Sequence, residues 1–179
     1  MVSFWGLFNL LVRLQFYVFE MKDFYKRNII ILSSVDWDSH RQLHHELVEH
    51  LVQKKNKILF IENTGSRNIR FTDFPRIKKR ILNFMKSAKG FKKLNEKITL
   101  FSPLFFPYFF SLIFNSINSL IILKLIHRWM KKNNFSDPII INFIPNPITF
   151  SIINTIKSNL VIYYMADNMT QNNKKFRKI

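Results

Sequence analysis

Two short apolar runs near the start of the chain constrain its fold more than any other feature. The first, at 28–32 (NIIIL), ends in SSVDWD, and the second, at 57–61 (KILFI), ends in ENTG. Runs this short and this rich in β-branched residues predict strands buried on both faces, as in a parallel sheet covered by helices. Ligands of such sheets bind beyond the carboxyl ends of the strands. The polar residues that follow each run therefore stand where a binding site is expected.

The rest of the chain alternates helical with strand patterns. Leu and Val residues at helical spacing predict a first helix over 39–54. Further along we expect a helix between Pro75 and Gly90, a strand at 97–101, a helix ending near 132, a strand at 139–143, a helix over 147–156 and a strand at 160–164. Together these predict an α/β fold over 28–169: a Rossmann-like parallel sheet of about five strands with helices on both faces.

The chain is strongly basic. Its 28 Lys and Arg residues against 11 Asp and Glu residues leave a net charge of +17, and ten of the basic residues lie between Arg67 and Lys93. Such an excess predicts attraction to polyanions: nucleic acid, anionic lipid headgroups or phosphate-bearing substrates. The chain has no cysteine, which excludes disulfides and thiolate metal sites and fits a reducing compartment.

Two uncharged or weakly charged stretches raise the question of a membrane. In the segment 1–27, the polar residues of 1–20 recur every three or four positions and so fall on one stripe of a helix. This favours a helix lying in a membrane interface; packing on the domain, or a natural start at Met21, are the alternatives. The 26 uncharged residues after Lys97 contain two prolines, which favours a buried or interface-touching helix over a spanning one. The end of the chain, 170–179, is a basic tail.

The turn after the first predicted strand carries the strongest chemical signal. It contains Ser34, Asp36, Trp37 and Asp38 but no glycine, and a dinucleotide pyrophosphate needs glycine there for close backbone approach. No P-loop is present in the sequence either. Carboxylates that accept from hydroxyl groups, and an indole that packs on a sugar face, suit a hydroxyl-rich substrate instead. A second interpretation is that Asp38 or Ser39 caps the helix and Trp37 fills a crevice; we favour capping for Asp38, and both interpretations stay open for Asp36.

Histidines on the first helix offer a base but no metal site. His44 and His45 are adjacent and point to different faces, so they cannot chelate one ion together. His40 and His44 have the required spacing, but the sequence supplies no convincing third ligand. We therefore consider His44 as a catalytic base and predict no metal.

Polar residues also follow the later predicted strands. Glu62, Asn63, Thr64 and Gly65 close the second strand, with Gly65 suited to a positive-φ turn. Asn146 follows the fourth strand and Asp167 the fifth, although each could belong to a simple turn. Because parallel strands end at a common edge, we expect Asp36, Glu62 and Asp167 to converge there.

Several of these tracts resemble the amino-terminal, acceptor-side half of GT-B glycosyltransferases of the family-1 and family-4 type, similar to those of teichuronic-acid and polysaccharide biosynthesis. They are SSVDWD at 33–38, Gln42 with His44, LFIENTGSR at 59–67, SPL at 102–104, DPI at 137–139, IPNP at 144–147, and VIYY at 161–164 with Asp167-Asn168. The resemblance spans nearly the whole chain. One departure is Arg41, where such relatives tend to carry an aromatic residue.

The resemblance implies a reaction in which a sugar moves from a nucleotide-sugar to a hydroxyl of a cell-envelope polysaccharide or a lipid-linked acceptor. It implies no metal or other cofactor beyond the donor. GT-B enzymes bind that donor mainly in a second, carboxyl-terminal domain, which we expect to be absent from this chain or supplied by a partner chain. Asp36, Asp38 and His44 are then candidate catalytic residues, and candidate acceptor contacts are Ser34, Trp37, Glu62, Asn63, Thr64, Gly65, Asn146 and Asp167.

The expected location is the cytoplasm, peripherally on the inner face of the cell membrane, where the basic and aromatic stretches would meet anionic lipid. An alternative is a catalytically inactive, truncated module that binds a membrane surface or a partner, because half of a two-domain cleft cannot align two substrates. Nucleic-acid binding is disfavoured, since the basic residues are interleaved with core positions and no recognition motif is evident.

Overall fold

The computed structural model describes residues 24–62, 90–104, 112–144 and 146–164. These residues build a six-stranded sheet in the order β3-β4-β2-β1-β5-β6. The strands are β1 (Asn28–Leu32), β2 (Lys57–Ile61), β3 (Phe91–Lys93), β4 (Ile98–Phe101), β5 (Ile139–Asn142) and β6 (Leu160–Tyr163). Five of them run parallel, which confirms the predicted Rossmann-like α/β fold.

The sixth strand, β3, was not predicted. It pairs antiparallel with β4 at one edge of the sheet, with Phe91 opposite Phe101. Its sequence, Phe-Lys-Lys, has too little apolar character to indicate a strand. It is held by Phe91, whose ring stacks between Phe101, at a centroid distance of 4.2 Å, and Trp129, at 5.6 Å. Only the fold brings these rings together.

Within the described ranges, three helices cover the two faces of the sheet, and helices on both faces were predicted. Helix α1 (Leu43–Gln53) lies on one face, and α2 (Leu112–Lys132) and α3 (Pro147–Thr155) lie on the other. The faces are separated by strand alternation: Ile30 and Leu32 belong to the core under α2 and α3, whereas Ile29 and Ile31 belong to the core under α1. All four side chains are fully buried, which explains the continuous apolar run of β1.

The amino end of α1 differs from the prediction. The helix begins at Leu43 rather than Ser39, and its N-cap is Gln42, so the expected cap at Asp38 is wrong. The cap is supplied from within the helix: Nδ1 of His45 accepts a hydrogen bond from the Gln42 amide at 3.1 Å. Residues 37–38 instead form a turn, closed by the Ser39 amide donating to the Asp36 carbonyl at 3.0 Å, and residues 39–40 form a bend.

A buried asparagine fixes the opposite, amino end of the sheet. Asn56 is fully buried, and its side-chain amide donates to the carbonyl groups of Phe24 and Leu51 at 2.7 and 2.8 Å. Its Oδ1 accepts from the Arg27 amide at 2.7 Å. These bonds join the end of α1 to the segment that enters β1. Because Asn56 directly precedes β2, they also fix the starts of β1 and β2 relative to each other.

Several sequence predictions lie outside the described residues. They are the interface helix over 1–20, most of the basic stretch 67–93, the helix between Pro75 and Gly90, and the tail 170–179. None of the helices in the described part of the chain is both long enough and apolar enough to cross a bilayer.

Candidate functional site

The crevice for a ligand in this topology lies beside β1. β2 flanks β1 on one side and β5 on the other. The connection that follows β1 leads to β2, whereas the connection that follows β5 leads to β6 in the opposite direction across the sheet. In open α/β sheets such a switch point opens a crevice outside the carboxyl ends of the two strands. The residues that end β1 and β5 are therefore the first place to look for a site.

The β1–α1 loop is shaped by its own side chains rather than by glycine. The buried hydroxyl of Ser33 accepts from the Val35 amide at 3.1 Å and donates to the Val35 carbonyl at 3.0 Å. The Ser33 amide donates to the Ile61 carbonyl of β2 at 3.0 Å. These bonds turn the chain sharply at the end of β1, and the partly exposed Ser34 follows directly.

Glu62 ties three strand ends together. The residue is 7% exposed; Oε1 accepts from the Trp37 amide at 2.9 Å, and Oε2 accepts from the Ser102 hydroxyl. The residue follows β2, while its partners follow β1 and β4. Glu62 therefore holds the β1–α1 loop against the sheet. Ser102 was not singled out in the sequence, because its role depends on β4 lying next to β2.

The Trp37 side chain packs on the protein core. Its ring lies 5.0 Å from the His45 ring and 5.0 Å, edge-on, from the Phe60 ring. Nε2 of His45 donates to the Trp37 carbonyl at 3.0 Å, since Nδ1 of that ring already accepts from Gln42. Trp37 thus fills a crevice between α1 and β2, as the second of the two interpretations of this turn predicts.

Ser34 and His44 form a hydrogen-bonded pair at the switch point. The Ser34 Oγ lies 3.2 Å from Nε2 of His44. His44 as a residue is 8% exposed, and its ring centre lies 4.1 Å from that of Phe143, which directly follows β5. The Phe143 ring in turn lies 5.1 Å from that of Tyr164, at the end of β6. Ser34 and His44 were predicted site residues, whereas Phe143 and Tyr164 were missed as ordinary strand ends.

The environment of His44 keeps its ring neutral. Burial, and secondarily the neighbouring His45, lower the pKa of His44 from 6.5 to about 4. Nδ1 is buried without a hydrogen-bond partner. Because a buried N–H without an acceptor is rarer in proteins than a buried lone pair without a donor, the favoured tautomer carries its proton on Nε2 and donates to Ser34. The hydroxyl proton of Ser34 is then available to a ligand.

The remaining predicted residues occupy different surroundings. Asp36 is partly exposed and Asp38 exposed, both on the loop that carries Ser34. Asn146 is buried and caps α3: its Oδ1 accepts from the Thr149 amide at 2.8 Å, and its amide donates to Thr149 Oγ1 at 3.1 Å. Asn63, Thr64, Gly65 and Asp167 lie outside the described residues.

A second buried polar group ends β5. Asn142 is fully buried; its Oδ1 accepts from the Ile144 amide at 3.1 Å, and its Nδ2 has no hydrogen-bond partner. The sequence gives no signal for it beyond one polar residue in an apolar run.

Among the described residues no group of three His, Asp or Glu side chains could hold a metal ion. At the carboxyl ends of the strands, the β1–α1 loop provides a hydroxyl donor, Ser34, and two carboxylate acceptors, Asp36 and Asp38. Glu62 fixes the position of this loop. Searches of protein families, of curated proteins and of solved structures found no match to this chain.

Proposed function

We propose that this α/β domain binds a sugar or lipid-linked acceptor at the carboxyl edge of its sheet, as the acceptor-side half of a GT-B glycosyltransferase of cell-envelope polysaccharide synthesis. The complete reaction transfers a sugar from a nucleotide-sugar to an acceptor hydroxyl. In this proposal a second domain or a partner chain binds the donor. The observation that carries the proposal is the Ser34–His44 pair at the β1–β5 switch point.

The pair suits recognition of a hydroxyl group. His44 is buried and neutral, and it holds the Ser34 Oγ from one side by its Nε2–H. Ser34 is partly exposed, and because its oxygen accepts from His44, its own proton can be donated to an oxygen of the ligand. In this arrangement Ser34 is the ligand contact and His44 its positioning residue.

Asp36 is the leading candidate for the base. Its carboxylate lies two residues beyond Ser34 on the same loop, and it is less exposed than Asp38. An aspartate that accepts the proton of an acceptor hydroxyl makes the oxygen a better nucleophile toward the donor sugar. Because Glu62 anchors the Trp37 amide, the carboxylate before Trp37 is carried on a fixed backbone.

Acceptor binding can be tested on the full chain by saturation-transfer NMR, with a panel of methyl hexosides, N-acetylhexosamines and a short-chain polyprenyl diphosphate sugar. We expect one class to bind, and Ser34→Ala and Asp36→Asn to weaken that binding about tenfold each. Ser39→Ala, on the same loop, is the matched control and should leave affinity unchanged. Binding of no class, or equal loss in the Ser39 control, would count against the proposal.

Sugar transfer itself is the second test. Radiolabelled nucleotide-sugars and the acceptor found by NMR are incubated with the chain alone, then with candidate donor-domain proteins from the same cell. We expect transfer only in the second case, and only with an intact Asp36. Transfer that survives Asp36→Asn would remove this residue from the base role.

A membrane-surface role is supported by one face of α2. Its outward side chains are apolar in the first part, where Leu120 is 68% exposed and Ile117 and Ile121 are 39% and 42% exposed. On the same side, toward the end of the helix, follow the exposed cations Lys124, Arg128, Lys131 and Lys132. Apolar side chains next to cations suit the interface of an anionic bilayer. We propose that this face contacts the membrane that carries the acceptor.

Vesicle co-sedimentation tests this contact. We expect the chain to bind vesicles of phosphatidylglycerol and not of phosphatidylcholine alone, and Leu120→Glu to weaken binding several-fold. Leu43→Glu, an exposed leucine on the opposite face of the sheet, is the control. If both variants bind like the parent chain, α2 is not the contact.

A further inference from the structure

The two edges of the sheet are built differently. At one edge β3 is three residues long and carries two exposed lysines, Lys92 and Lys93. Short length and charge are the devices by which proteins keep an edge strand from pairing with other chains. At the other edge, β6 is also short (Leu160–Tyr163), but it lacks the second device: the segment 158–164 (SNLVIYY) contains no charge and no proline.

β6 is also apolar and exposed on both faces. Leu160 and Tyr164 are 44% and 42% exposed on the α1 side of the sheet, and Val161 and Tyr163 are 40% and 44% exposed on the side of α2 and α3. A covering helix would shield one face only. A further strand, with apolar side chains on both faces, would cover the whole edge.

The backbone of β6 defines which residues can bond to that strand. The Tyr164 amide donates to the Asn142 carbonyl at 2.9 Å, so the even-numbered residues of β6 bond to β5. In a parallel ladder the alternate residues point the other way. The N–H and C=O groups of Val161 and Tyr163 therefore face the outer edge, where β6 has no neighbouring strand among the described residues.

We propose that β6 pairs antiparallel with β6 of a second copy of this chain, across a two-fold axis through Ile162, to form a continuous twelve-stranded sheet. In this register Val161 faces Tyr163 of the second copy, and both residues exchange their N–H and C=O bonds. Leu160 faces Tyr164, and Ile162 faces Ile162. Every cross-strand pair is apolar, and four of the five match an aliphatic with an aromatic side chain, a favourable combination.

Charge favours this edge for self-association over the rest of the surface. Two chains of net charge +17 repel each other at most orientations. The edge presented by 158–164 is without charge, so two copies can approach there with the least repulsion. The contact is small, so we expect a dimer that forms with rising concentration rather than a permanent one.

A single cysteine tests the register directly, because the chain has none of its own. Ile162→Cys places two thiols opposite each other at a pair whose Cα atoms lie about 4.5 Å apart, close enough for a disulfide. We expect oxidised Ile162→Cys to run as a covalent dimer on a non-reducing gel. Val161→Cys is the control and should cross-link far less, because its counterpart in the second copy is Tyr163.

The equilibrium is tested by analytical ultracentrifugation of the full chain over about 1 to 300 µM. Val161→Pro removes the outward N–H without breaking the β5 ladder, and we expect it to raise the dimer dissociation constant about tenfold or more. Val161→Thr keeps the N–H and should dimerise like the parent. Leu120→Lys, on α2, separates edge pairing from general apolar adhesion and should also dimerise.

The response of the dimer to salt distinguishes pairing at the uncharged β6 edge from association through charged groups. A dimer joined at an uncharged edge between basic chains tightens as salt screens their repulsion. A monomer at all concentrations, a dimer that dissolves in salt, equal cross-linking of the two cysteine variants, or a Val161→Pro chain that dimerises normally would each overturn the proposal. Circular dichroism of each variant confirms that the fold is kept.

Discussion

At the scale of single residues, His44 links the site to stability. Its pKa is about 4 in the folded chain, against an ordinary value of 6.5 for a solvated histidine, so the unfolded chain binds more protons between these pH values. Folding stability is then fully present above about pH 6.5 and falls as the pH drops toward 4. This difference in the pKa of His44 contributes at most about 3 kcal/mol to the free energy of unfolding. We expect His44→Gln to flatten the fall in the free energy of unfolding between pH 7 and 4.5, measured by urea denaturation.

The matched control is His40→Gln, because His40 is exposed on the preceding loop. This variant should keep the pH dependence of the parent chain. His45, the nearest titratable neighbour of His44, has both ring nitrogens engaged, with Gln42 and Trp37, and stays in place in both variants. An unchanged slope in His44→Gln would show that other groups dominate the acid response.

At the scale of elements, Glu62 makes the ends of β1, β2 and β4 one unit. Glu62→Ala leaves the Trp37 amide and the Ser102 hydroxyl without their acceptor, and each such loss costs about 1–3 kcal/mol when buried. We expect a loss of about 2–4 kcal/mol in the free energy of unfolding. Ser102→Ala should cost less alone, and little more when added to Glu62→Ala, since the two share one bond. Additive losses in this double-mutant cycle would show that the bond contributes nothing.

The elements themselves were largely readable from the sequence. Strands with two buried faces, such as β1 and β2, are indicated by continuous apolar runs in the sequence. The start of α3 is indicated by Pro147. The start of α1 was misplaced because Asp38 and Ser39 have the right side chains for a cap, whereas the actual cap depends on His45 reaching back to Gln42. β3 was missed because its stability comes from rings distant in sequence.

The candidate site was predictable in part, for the same reason. Ser34, Asp36 and Glu62 were found because polar residues after buried strands gather at one edge. The sequence could not show that Glu62 is bound by Trp37 and Ser102, or that His44 meets Ser34 and Phe143. Those contacts depend on strand order, which places β1 between β2 and β5.

At the scale of the whole molecule, the excess of positive charge works against compactness. The chain carries +17, and the ion pair between Arg41 and Glu49 is exposed on both sides. Added salt screens the repulsion among the excess positive charges, whereas an exposed pair of this kind contributes little attraction to lose. We expect the melting temperature to rise by several degrees between about 20 and 300 mM NaCl, where the Debye length shortens from about 20 to 6 Å.

Differential scanning calorimetry at pH 7, at a concentration low enough to keep the chain monomeric, measures this rise. Reversing charges on the basic face of α2, with Lys124→Glu and Arg128→Glu, lowers the net charge to +13 if the remaining charges are unchanged. The doubly substituted chain should melt higher at low salt and respond less to NaCl, because less repulsion remains to be screened. If that chain instead melts lower at low salt, Lys124 and Arg128 make stabilising contacts within the folded chain. Their role is then not only to present positive charge to an anionic partner.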